Sequence, residues 1–337
     1  MNRRKLKVTF YCHIEQSVLD VVLFYRQDIE ALKTLGYEVF ITTRWYKINW
    51  RSDIIFIWWW TYAFFPVLIG KILNKKTIIT GTFNYRCPKG YKDFYRRNWL
   101  QRFLIKFSAK FASANVLVSK REYLAIKREW KFKNLYYLPH AVDTEIYRSG
   151  ASRSDHLIFT ICWTGKENIR RKCIPEIIES VVLLKKQNSN LEFILAGRVG
   201  DGFALVRSLI EKNNLSDCFK LIGELNEEDK IDYLQRCTIY LQPSRYEGFG
   251  LAIAEAMSCG APVISSDVGE VKEVVGNAGV LLCGCSPEEI SETVTDLLNN
   301  ANKRRELGRK ARQKIVKDFP KIRRVKGLKK VIEGIKL

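Results

Sequence analysis

Short apolar segments alternate with amphipathic segments along the chain, and this pattern predicts repeated strand–helix units. Residues 7–14 form a predicted first strand, residues 18–35 a helix that ends at Gly36, and residues 37–43 a second strand. A β-α-β opening of this kind is typical of a parallel sheet with helices on both faces. The first half continues with predicted strands at 53–60, 77–81 and 114–119 and an apolar helix at 64–73.

A second alternation begins at residue 157, after a segment with little apolar content, and indicates a second domain of the same kind. Its predicted strands are 157–163, 191–196, 219–222, 238–241, 262–265 and 280–282, and its predicted helices are 174–186, 203–213, 228–235 and 287–298. The chain is helical and basic from Lys303, with a break near Phe319-Pro320. We therefore expect two Rossmann-like, doubly wound α/β domains with a cleft between them.

The segment 240–262 combines a strand end, a glycine turn and a helix start. Gly248 and Gly250 precede a run of good helix formers, and the first turn of such a helix presents unpaired N–H groups to an anion. Glu247 and Glu255 lie eight positions apart, so that the two carboxylates flank this anion site. The alternative is that the glycines only permit close packing, as they do in any doubly wound sheet.

The run Pro-Ser-Arg-Tyr-Glu-Gly-Phe-Gly-Leu, followed by Glu-Ala-Met-Ser-Cys-Gly-Ala-Pro-Val-Ile, resembles the donor-site signature of glycosyltransferase family 4. This family belongs to the glycosyl transferases group 1 and consists of retaining enzymes with the GT-B fold. The resemblance covers residues 139–319, and the first half shares only the topology. It implies an acceptor domain over 1–145, a donor domain over 146–318 and a C-terminal helix over 319–337 that returns to the first domain.

The resemblance also implies roles for individual residues. Glu247 would contact the hydroxyls of the sugar and Glu255 those of the nucleotide ribose, while Lys172 and Lys166 would bind the diphosphate. Cys173 stands where the family has glycine. The remaining donor-binding candidates are Gly165 beside the lysines, the amides of Gly248, Phe249, Gly250 and Leu251 at the sugar and phosphate, and Gly223, Glu224 and Leu225 at the nucleobase.

The activity implied is transfer of a sugar from a UDP-, GDP- or similar nucleotide-sugar to a lipid-linked or glycan acceptor, with retention. No cofactor is expected, and no metal, because a suitable Asp-x-Asp loop is missing and lysines would neutralise the leaving group. Three alternatives stay open: a nucleotide-sugar epimerase of the same fold, an inactive partner protein, and a basic nucleic-acid-binding protein. The acidic middle of the chain and the lack of a known nucleic-acid-binding motif disfavour the nucleic-acid-binding protein.

The net charge of +21 is unevenly distributed. Residues 1–150 hold 27 basic and 11 acidic side chains, residues 151–300 hold 15 and 22, and residues 301–337 hold 15 and 3. Residues 86–111 contain eight basic residues and predict a basic amphipathic helix, with Phe103, Phe107 and Phe111 on one face. This helix lies on an anionic membrane or covers its own sheet with its aromatic face, and both can hold if its basic face alone touches the membrane.

Two further features suggest where the protein works. No long uncharged apolar window and no signal peptide are apparent, so we expect a cytoplasmic protein, peripheral on the inner face of the cell membrane. The nine cysteines are scattered through apolar segments and are expected to be reduced thiols. The pair Cys283-Gly-Cys285 is too closely spaced for a structural zinc site.

Overall fold

The computed structural model describes residues 5–87, 93–187 and 190–335, without the side chains of Asp20 and Val21. Lys89 and Lys92 of the predicted basic segment lie outside these ranges. The chain consists of two compact units, residues 1–141 together with 321–337, and residues 142–320. The sequence analysis placed the domain boundaries after residues 145 and 318.

The first unit is built on a six-stranded parallel sheet. Its strands are β1 (Lys7–Cys12), β2 (Glu38–Thr42), β3 (Ile54–Trp58), β4 (Lys76–Gly81), β5 (Ala114–Leu117) and β6 (Leu135–Tyr137). They lie in the order β2-β1-β3-β4-β5-β6. Successive residues of β3 pack into two separate cores. Phe56 lies in one core, and Ile55 and Ile57 lie in the other. Both faces of the sheet are therefore covered, as predicted.

The helices of this unit differ from the prediction in two places. They are α1 (Gln16–Val21), α2 (Leu23–Thr34), α3 (Phe64–Ile72), α4 (Trp99–Phe111) and α5 (Lys120–Trp130). The single helix expected over 18–35 is two helices, because Val22 is extended at φ −77° and ψ 114°. Two adjacent β-branched valines weaken the helix at this point. Helix α5 and strand β6 were not predicted.

The second unit has its own six-stranded parallel sheet. Its strands are β7 (Leu157–Ile161), β8 (Glu192–Ala196), β9 (Phe219–Gly223), β10 (Ile239–Gln242), β11 (Val263–Ser266) and β12 (Val280–Leu282). They lie in the order β12-β11-β10-β7-β8-β9. The chain moves outward from β7 to β9, returns to the centre at β10 and moves outward on the other side. This is the Rossmann strand order.

Eight helices surround the second sheet among the described residues. They are α6 (Lys166–Arg171), α7 (Ile174–Lys185), α8 (Phe203–Lys212), α9 (Glu227–Arg236), α10 (Leu251–Ser258), α11 (Val271–Val275), α12 (Pro287–Asn299) and α13 (Ala301–Asp318). All the predicted helices of this half are present, with ends that differ by one or two residues. The short helices α6 and α11 were not predicted.

The last helix, α14 (Lys321–Gly334), belongs to the first unit. Two residues separate it from α13, which belongs to the second unit. Leu328, Val331 and Ile332 of α14 pack in the core beside α2. Arg324 forms a fully buried ion pair with Asp28 of α2, with Nε–Oδ1 and Nη2–Oδ2 distances of 2.6 and 2.9 Å. The C-terminal helix thus closes the core of the first unit.

Two expectations about chemistry and membranes are also addressed by the fold. All nine cysteines are free thiols, and six of them are buried. No helix within the described residues is both long and apolar enough to cross a bilayer. The apolar segment at 54–73 is instead the buried strand β3 followed by α3.

Candidate functional site

The candidate donor site lies where the strand order of the second sheet reverses. Strands β7 and β10 are neighbours, and the chain leaves them toward opposite sides of the sheet. Doubly wound sheets bind ligands at this switch point, in the crevice beyond the carboxyl ends of the two strands. The loop 162–165 follows β7 and the loop 243–250 follows β10. Both predicted lysines and both predicted glutamates lie on these loops and the helices after them.

Glu247 is held in place by Arg171, the last residue of α6. Arg171 Nη1 donates to Glu247 Oε2 at 2.6 Å and to the Tyr246 carbonyl at 2.9 Å. Burial raises the pKa of the Glu247 carboxyl, but the charges of Arg171 and Lys172 outweigh it and the net pKa is lowered. Glu247 is therefore an ionised, oriented hydrogen-bond acceptor. Arg171 was not among the predicted site residues.

Lys172 is held at the end of β7. Its Nζ donates to the Ile161 carbonyl at the end of β7, at 3.0 Å. Burial lowers the pKa of Lys172, and the charges of Glu247 and, more weakly, Glu255 oppose that shift. The side chain thus provides a positive charge fixed at the switch point, within the electrostatic influence of both predicted glutamates. An ammonium in this position is suited to an anionic ligand.

Lys166 is placed differently from Lys172. Its backbone N–H donates to Asp201 Oδ1 at 2.9 Å, and its side chain is exposed at the start of α6. The described contacts do not join it to Glu247 or Lys172. Gly165 precedes it as the N-cap residue of α6. Lys166 therefore borders the site, whereas Lys172 lies inside it.

Cys173 explains why a glycine is expected after Lys172. Its backbone is left-handed, at φ 51° and ψ 38°, and it caps the N-terminus of α7. Residues with a Cβ rarely adopt this conformation, and glycine adopts it without strain. The chain therefore keeps the backbone turn with a cysteine in place of the glycine.

The glycine turn leads into α10 as predicted. Gly250 is the N-cap residue with φ 88°, and an added Cβ would lie 3.1 Å from Ile253 Cδ1. Leu251 begins the helix, so the first-turn amides lack acceptors within the helix. Gly248 and Phe249 precede the cap, and the Phe249 ring is buried against Phe319 at 5.5 Å. The turn and the helix dipole favour an anion here.

Glu255, on the second turn of α10, is 5% exposed. Its Oε2 lies 3.3 Å from Lys230 Nζ on α9. Burial raises the pKa of Glu255, and Lys230 only partly counteracts it. The ion pair also brings α10 beside α9 and the loop before it, which contains Leu225. Gly223, one of the predicted nucleobase residues, ends β9 with φ 76°.

Close backbone contacts set the position of the Glu247 loop. Gly269, after β11, has φ 54°, and an added Cβ would lie 1.7 Å from the Glu247 carbonyl oxygen. The loop after β8 packs equally closely on the loop after β7. An added Cβ on Gly200 would lie 2.7 Å from the Gly165 nitrogen. These glycines were not predicted to act on the site. The sequence signal available for Gly269 was only its position after a strand end.

Nothing in the described part of the chain groups three or more His, Cys, Asp or Glu side chains in a way that could hold a metal ion. The charges at the site are instead two carboxylates, three basic side chains at Arg171, Lys172 and Lys230, and the dipole of α10. Such a site can accept hydrogen bonds from hydroxyls at two places and neutralise an anion between them.

The sequence comparisons relate part of the chain to known glycosyltransferases. Residues 167–314 match the family model "Glycosyl transferases group 1". An uncharacterized glycosyltransferase of Methanocaldococcus jannaschii is 33% identical over 141 residues, which are 41% of this chain and 40% of that protein. The phosphatidylinositol N-acetylglucosaminyltransferase gpi3 subunit of Schizosaccharomyces pombe is 26% identical over 199 residues, 58% of this chain and 43% of that protein. The chain thus spans less than half the length of either relative.

Solved structures show the same fold over nearly the whole chain. Anabaena Alr3699/HepE, crystallised in complex with UDP, has a TM-score of 0.77 and 14% identity, and the match covers 98% of this chain and all of that one. At this identity the likeness shows the fold alone, and it confirms the predicted two-domain α/β fold of the GT-B class. The family match likewise confirms the resemblance of segment 240–262 to the glycosyl transferases group 1.

Proposed function

We propose that the chain, whose residues 167–314 match the family model "Glycosyl transferases group 1", transfers a sugar from a nucleotide-diphospho-sugar to a lipid-linked or glycan acceptor. One observation carries the proposal: an ionised Glu247, fixed by Arg171, lies with Lys172 at the switch point of a Rossmann sheet. Such a site can hold both the hydroxyls of a sugar and the diphosphate that leaves it.

The proposed step exchanges one bond at the anomeric carbon for another. The bond from that carbon to the diphosphate oxygen breaks, and a bond to the acceptor hydroxyl oxygen forms on the same face, with retention. The acceptor proton passes to the departing diphosphate oxygen, so a nucleoside diphosphate is released. Glu247 orients the sugar hydroxyls, Glu255 binds the ribose hydroxyls, and Lys172 and the α10 amides stabilise the charge that develops on the diphosphate.

The step is proposed to be independent of a metal ion, because the chain provides its own cationic groups at the diphosphate. Lys172 is fixed at the end of β7, Lys166 lies on the rim, and the first turn of α10 adds unpaired amides. We expect transfer to continue at an undiminished rate in excess EDTA. A loss of activity on chelation that added Mg²⁺ or Mn²⁺ restores would overturn this part of the proposal.

Helix α4 is proposed to place the protein against an anionic membrane, where a lipid-linked acceptor would be reached. Trp99 and Phe103 are 73% and 57% exposed, and Arg102 and Lys106 lie on the same helix. Phe107 instead packs against Phe64 of α3 at 5.3 Å. The start of the helix is therefore an exposed aromatic and basic surface, and its end covers the sheet. Sedimentation with vesicles measures this binding.

The donor is identified by a thermal-shift panel of UDP-, GDP-, ADP- and dTDP-sugars, followed by a transfer assay with the sugar that stabilises the protein. Ligands that bind only the folded state raise the unfolding temperature. We expect one nucleotide class to do so, and Lys172→Ala and Glu247→Ala to abolish most of the transfer. Lys186→Ala, an exposed lysine at the far end of α7, is the matched control.

The same assays separate the remaining alternatives. Release of an isomerised nucleotide-sugar without an acceptor would indicate an epimerase. Saturable nucleotide-sugar binding without turnover against any acceptor would indicate an inactive partner. Binding to any duplex that falls steeply with salt, together with no stabilisation by any nucleotide-sugar, would indicate a nucleic-acid-binding protein. Each of these outcomes contradicts the proposed transfer.

A further inference from the structure

The second unit contains a groove lined by arginines at the amino ends of its strands. The donor site lies at the opposite, carboxyl ends. The groove has a volume of about 500 Å³ and lies between α13 and the amino ends of β7, β10 and β11, where Asp155, Thr238 and Pro262 line it. Strand β7 has five residues, so its two ends are about 17 Å apart. The groove is thus separate from the switch point, and its volume lies within the usual range for small-ligand sites.

One face of α13 provides most of the charge in the groove. Residues 301, 305, 308, 309 and 312 are spaced as on a single helical face, and all of them line the groove. Gly308 allows this face to approach closely, because an added Cβ would lie 2.4 Å from the Gly260 carbonyl oxygen. Five arginines therefore meet in one groove: Arg153, Arg304, Arg305, Arg309 and Arg312.

The inner arginines are fixed by carbonyl groups and not by carboxylates. Arg153 donates to the carbonyls of Leu234 and Cys237 at 3.1 and 2.9 Å. Arg312 donates to the carbonyls of Thr144 and Tyr147 at 2.9 and 2.7 Å. These bonds hold the guanidinium groups in place without neutralising them.

A carboxylate approaches the cluster at one place among the described ion pairs. Asp155 lies 3.8 Å from Arg304, and its side chain is 81% exposed. The exposed Glu306 pairs with Lys310 at 2.6 Å, and Lys310 and, more weakly, the charge of Arg309 lower the pKa of its carboxyl. Five guanidinium charges therefore meet two solvated carboxylates, one of which is already paired with a lysine. An uncompensated cluster of this kind, partly removed from water, favours an anionic ligand.

The outer arginines are exposed and retain free donors. Arg305 donates to the Asn302 side chain and Arg309 to the Gln313 side chain, at 3.1 Å for the second pair. Both acceptors are neutral amides on the same helix, and a guanidinium has five N–H donors. Arg305 and Arg309 are one turn apart, a spacing at which their two guanidinium groups can each bind one of two neighbouring phosphoryl groups.

We propose that this groove is a second anion site, which binds a small molecule carrying a diphosphate or triphosphate. A single phosphate would leave most of the charge of the five arginines uncompensated, whereas a chain of two or three phosphoryl groups matches both the charge and the spacing of Arg305 and Arg309. Inorganic polyphosphate and a nucleoside triphosphate both offer this chemistry.

The test is calorimetric titration of the full chain with inorganic tripolyphosphate at fixed ionic strength. It is done in a Lys172→Ala background, so that binding at the donor site is suppressed. We expect Arg305→Gln/Arg309→Gln to weaken binding by about tenfold or more. The matched control, Lys310→Gln/Lys317→Gln, removes the same charge from another face of α13 and is expected to change affinity by less than about twofold.

Three results would overturn the proposal. The first is the lack of saturable binding in the Lys172→Ala background, and the second is equal weakening of binding by both double variants. The third is tighter binding of a duplex oligonucleotide than of tripolyphosphate or ATP. ATP measured beside tripolyphosphate identifies the source, because equal affinities indicate the phosphate chain alone and a tighter ATP complex indicates a nucleotide. Hydrogen exchange of the unmutated protein gives an independent answer. Tripolyphosphate should protect residues 301–318, and protection confined to residues 243–250 would contradict the second site.

Discussion

Arg171 controls the charge state of Glu247, since its guanidinium lowers the pKa of a carboxyl group that burial alone would raise. If the ionised form orients the sugar, activity is present above this pKa and is lost as pH falls through it. We predict that Arg171→Ala raises the pKa, so that the acid limb of the kcat/KM–pH profile moves to higher pH.

Arg170→Ala is the control for this prediction, because Arg170 is the exposed neighbour on the same helix. It should leave the acid limb in place. An unchanged acid limb in Arg171→Ala, with activity merely reduced at every pH, would show that Arg171 acts on the site by some other route than the ionisation of Glu247.

Gly269 sets the position of Glu247 through its backbone. We predict that Gly269→Ala lowers transfer by about a hundredfold, because a Cβ 1.7 Å from the Glu247 carbonyl oxygen must displace the loop. Gly276→Ala is the matched control: it has the same φ of 54°, and its Cβ would meet only the flexible end of Lys314 at 3.2 Å. Strain of alanine at a positive φ should cost each variant about 1–3 kcal/mol of stability.

Transfer rates normalised to folded protein distinguish the two glycine variants. Equal activity losses in Gly269→Ala and Gly276→Ala would show that strain alone is responsible, and not displacement of the Glu247 loop.

The residues that are proposed to contact a ligand were easier to predict than the residues that hold their loop in position. Glu247, Gly250 and Glu255 stand at fixed spacing in one segment, so a motif reveals them. Arg171 and Gly269 reach the same loop from other strand ends, 76 and 22 residues away from Glu247 along the chain. Such contacts depend on strand order, which spacing in the sequence does not encode.

At the scale of elements, α14 is attached to the first unit by a buried ion pair. Arg324 and Asp28 have fully buried side chains, and Arg324 Nη1 also donates to the carbonyls of Leu138 and Pro139, each at 2.9 Å. We predict that Arg324→Met destabilises the first unit by about 3–5 kcal/mol, because Asp28 is then left buried without its partner. Calorimetric unfolding should show the transition of that unit at a lower temperature.

Lys329→Ala breaks an exposed pair with Glu333 on the same helix and is expected to cost less than about 1 kcal/mol. The double variant Asp28→Leu/Arg324→Met should recover part of the lost stability, since no buried charge remains. If Arg324→Met behaves like Lys329→Ala, the buried pair does not stabilise the attachment of α14.

The helices missed in the sequence were missed for different reasons. Helix α5 has the sequence KREYLAIKREW, and its apolar face of Tyr123, Ile126 and Trp130 packs on the core, so the periodic signal was present and was overlooked. A local signal was also present, because Ser119 and Glu122 have capping-box spacing and the Ser119 side chain accepts from the Glu122 amide. Helices α6 and α11 have six and five residues, too few for a periodic pattern to emerge. The long apolar strands were predicted correctly because both faces of each sheet are covered.

At the scale of the whole molecule, the charge asymmetry bears on the membrane proposal. The basic excess lies in residues 1–150 and 301–337, and α14 with its lysines is part of the first unit. Helix α4, with its exposed aromatic start, belongs to the same unit. An anionic surface would therefore attract the unit that also exposes the aromatic residues, and the acidic stretch 151–300 lies in the other unit.

We predict that Trp99→Ala/Phe103→Ala weakens sedimentation with anionic vesicles by about tenfold, because two interfacial aromatic side chains are lost while every basic residue remains. Leu205→Ala/Val316→Ala is the control, since it removes exposed apolar groups, 48% and 43% exposed, from the second unit. It should bind vesicles like the unmodified chain. Binding should also fall as salt rises and be weak to neutral vesicles. Equal, negligible binding of the unmodified chain to anionic and neutral vesicles would contradict the membrane proposal without affecting the donor site.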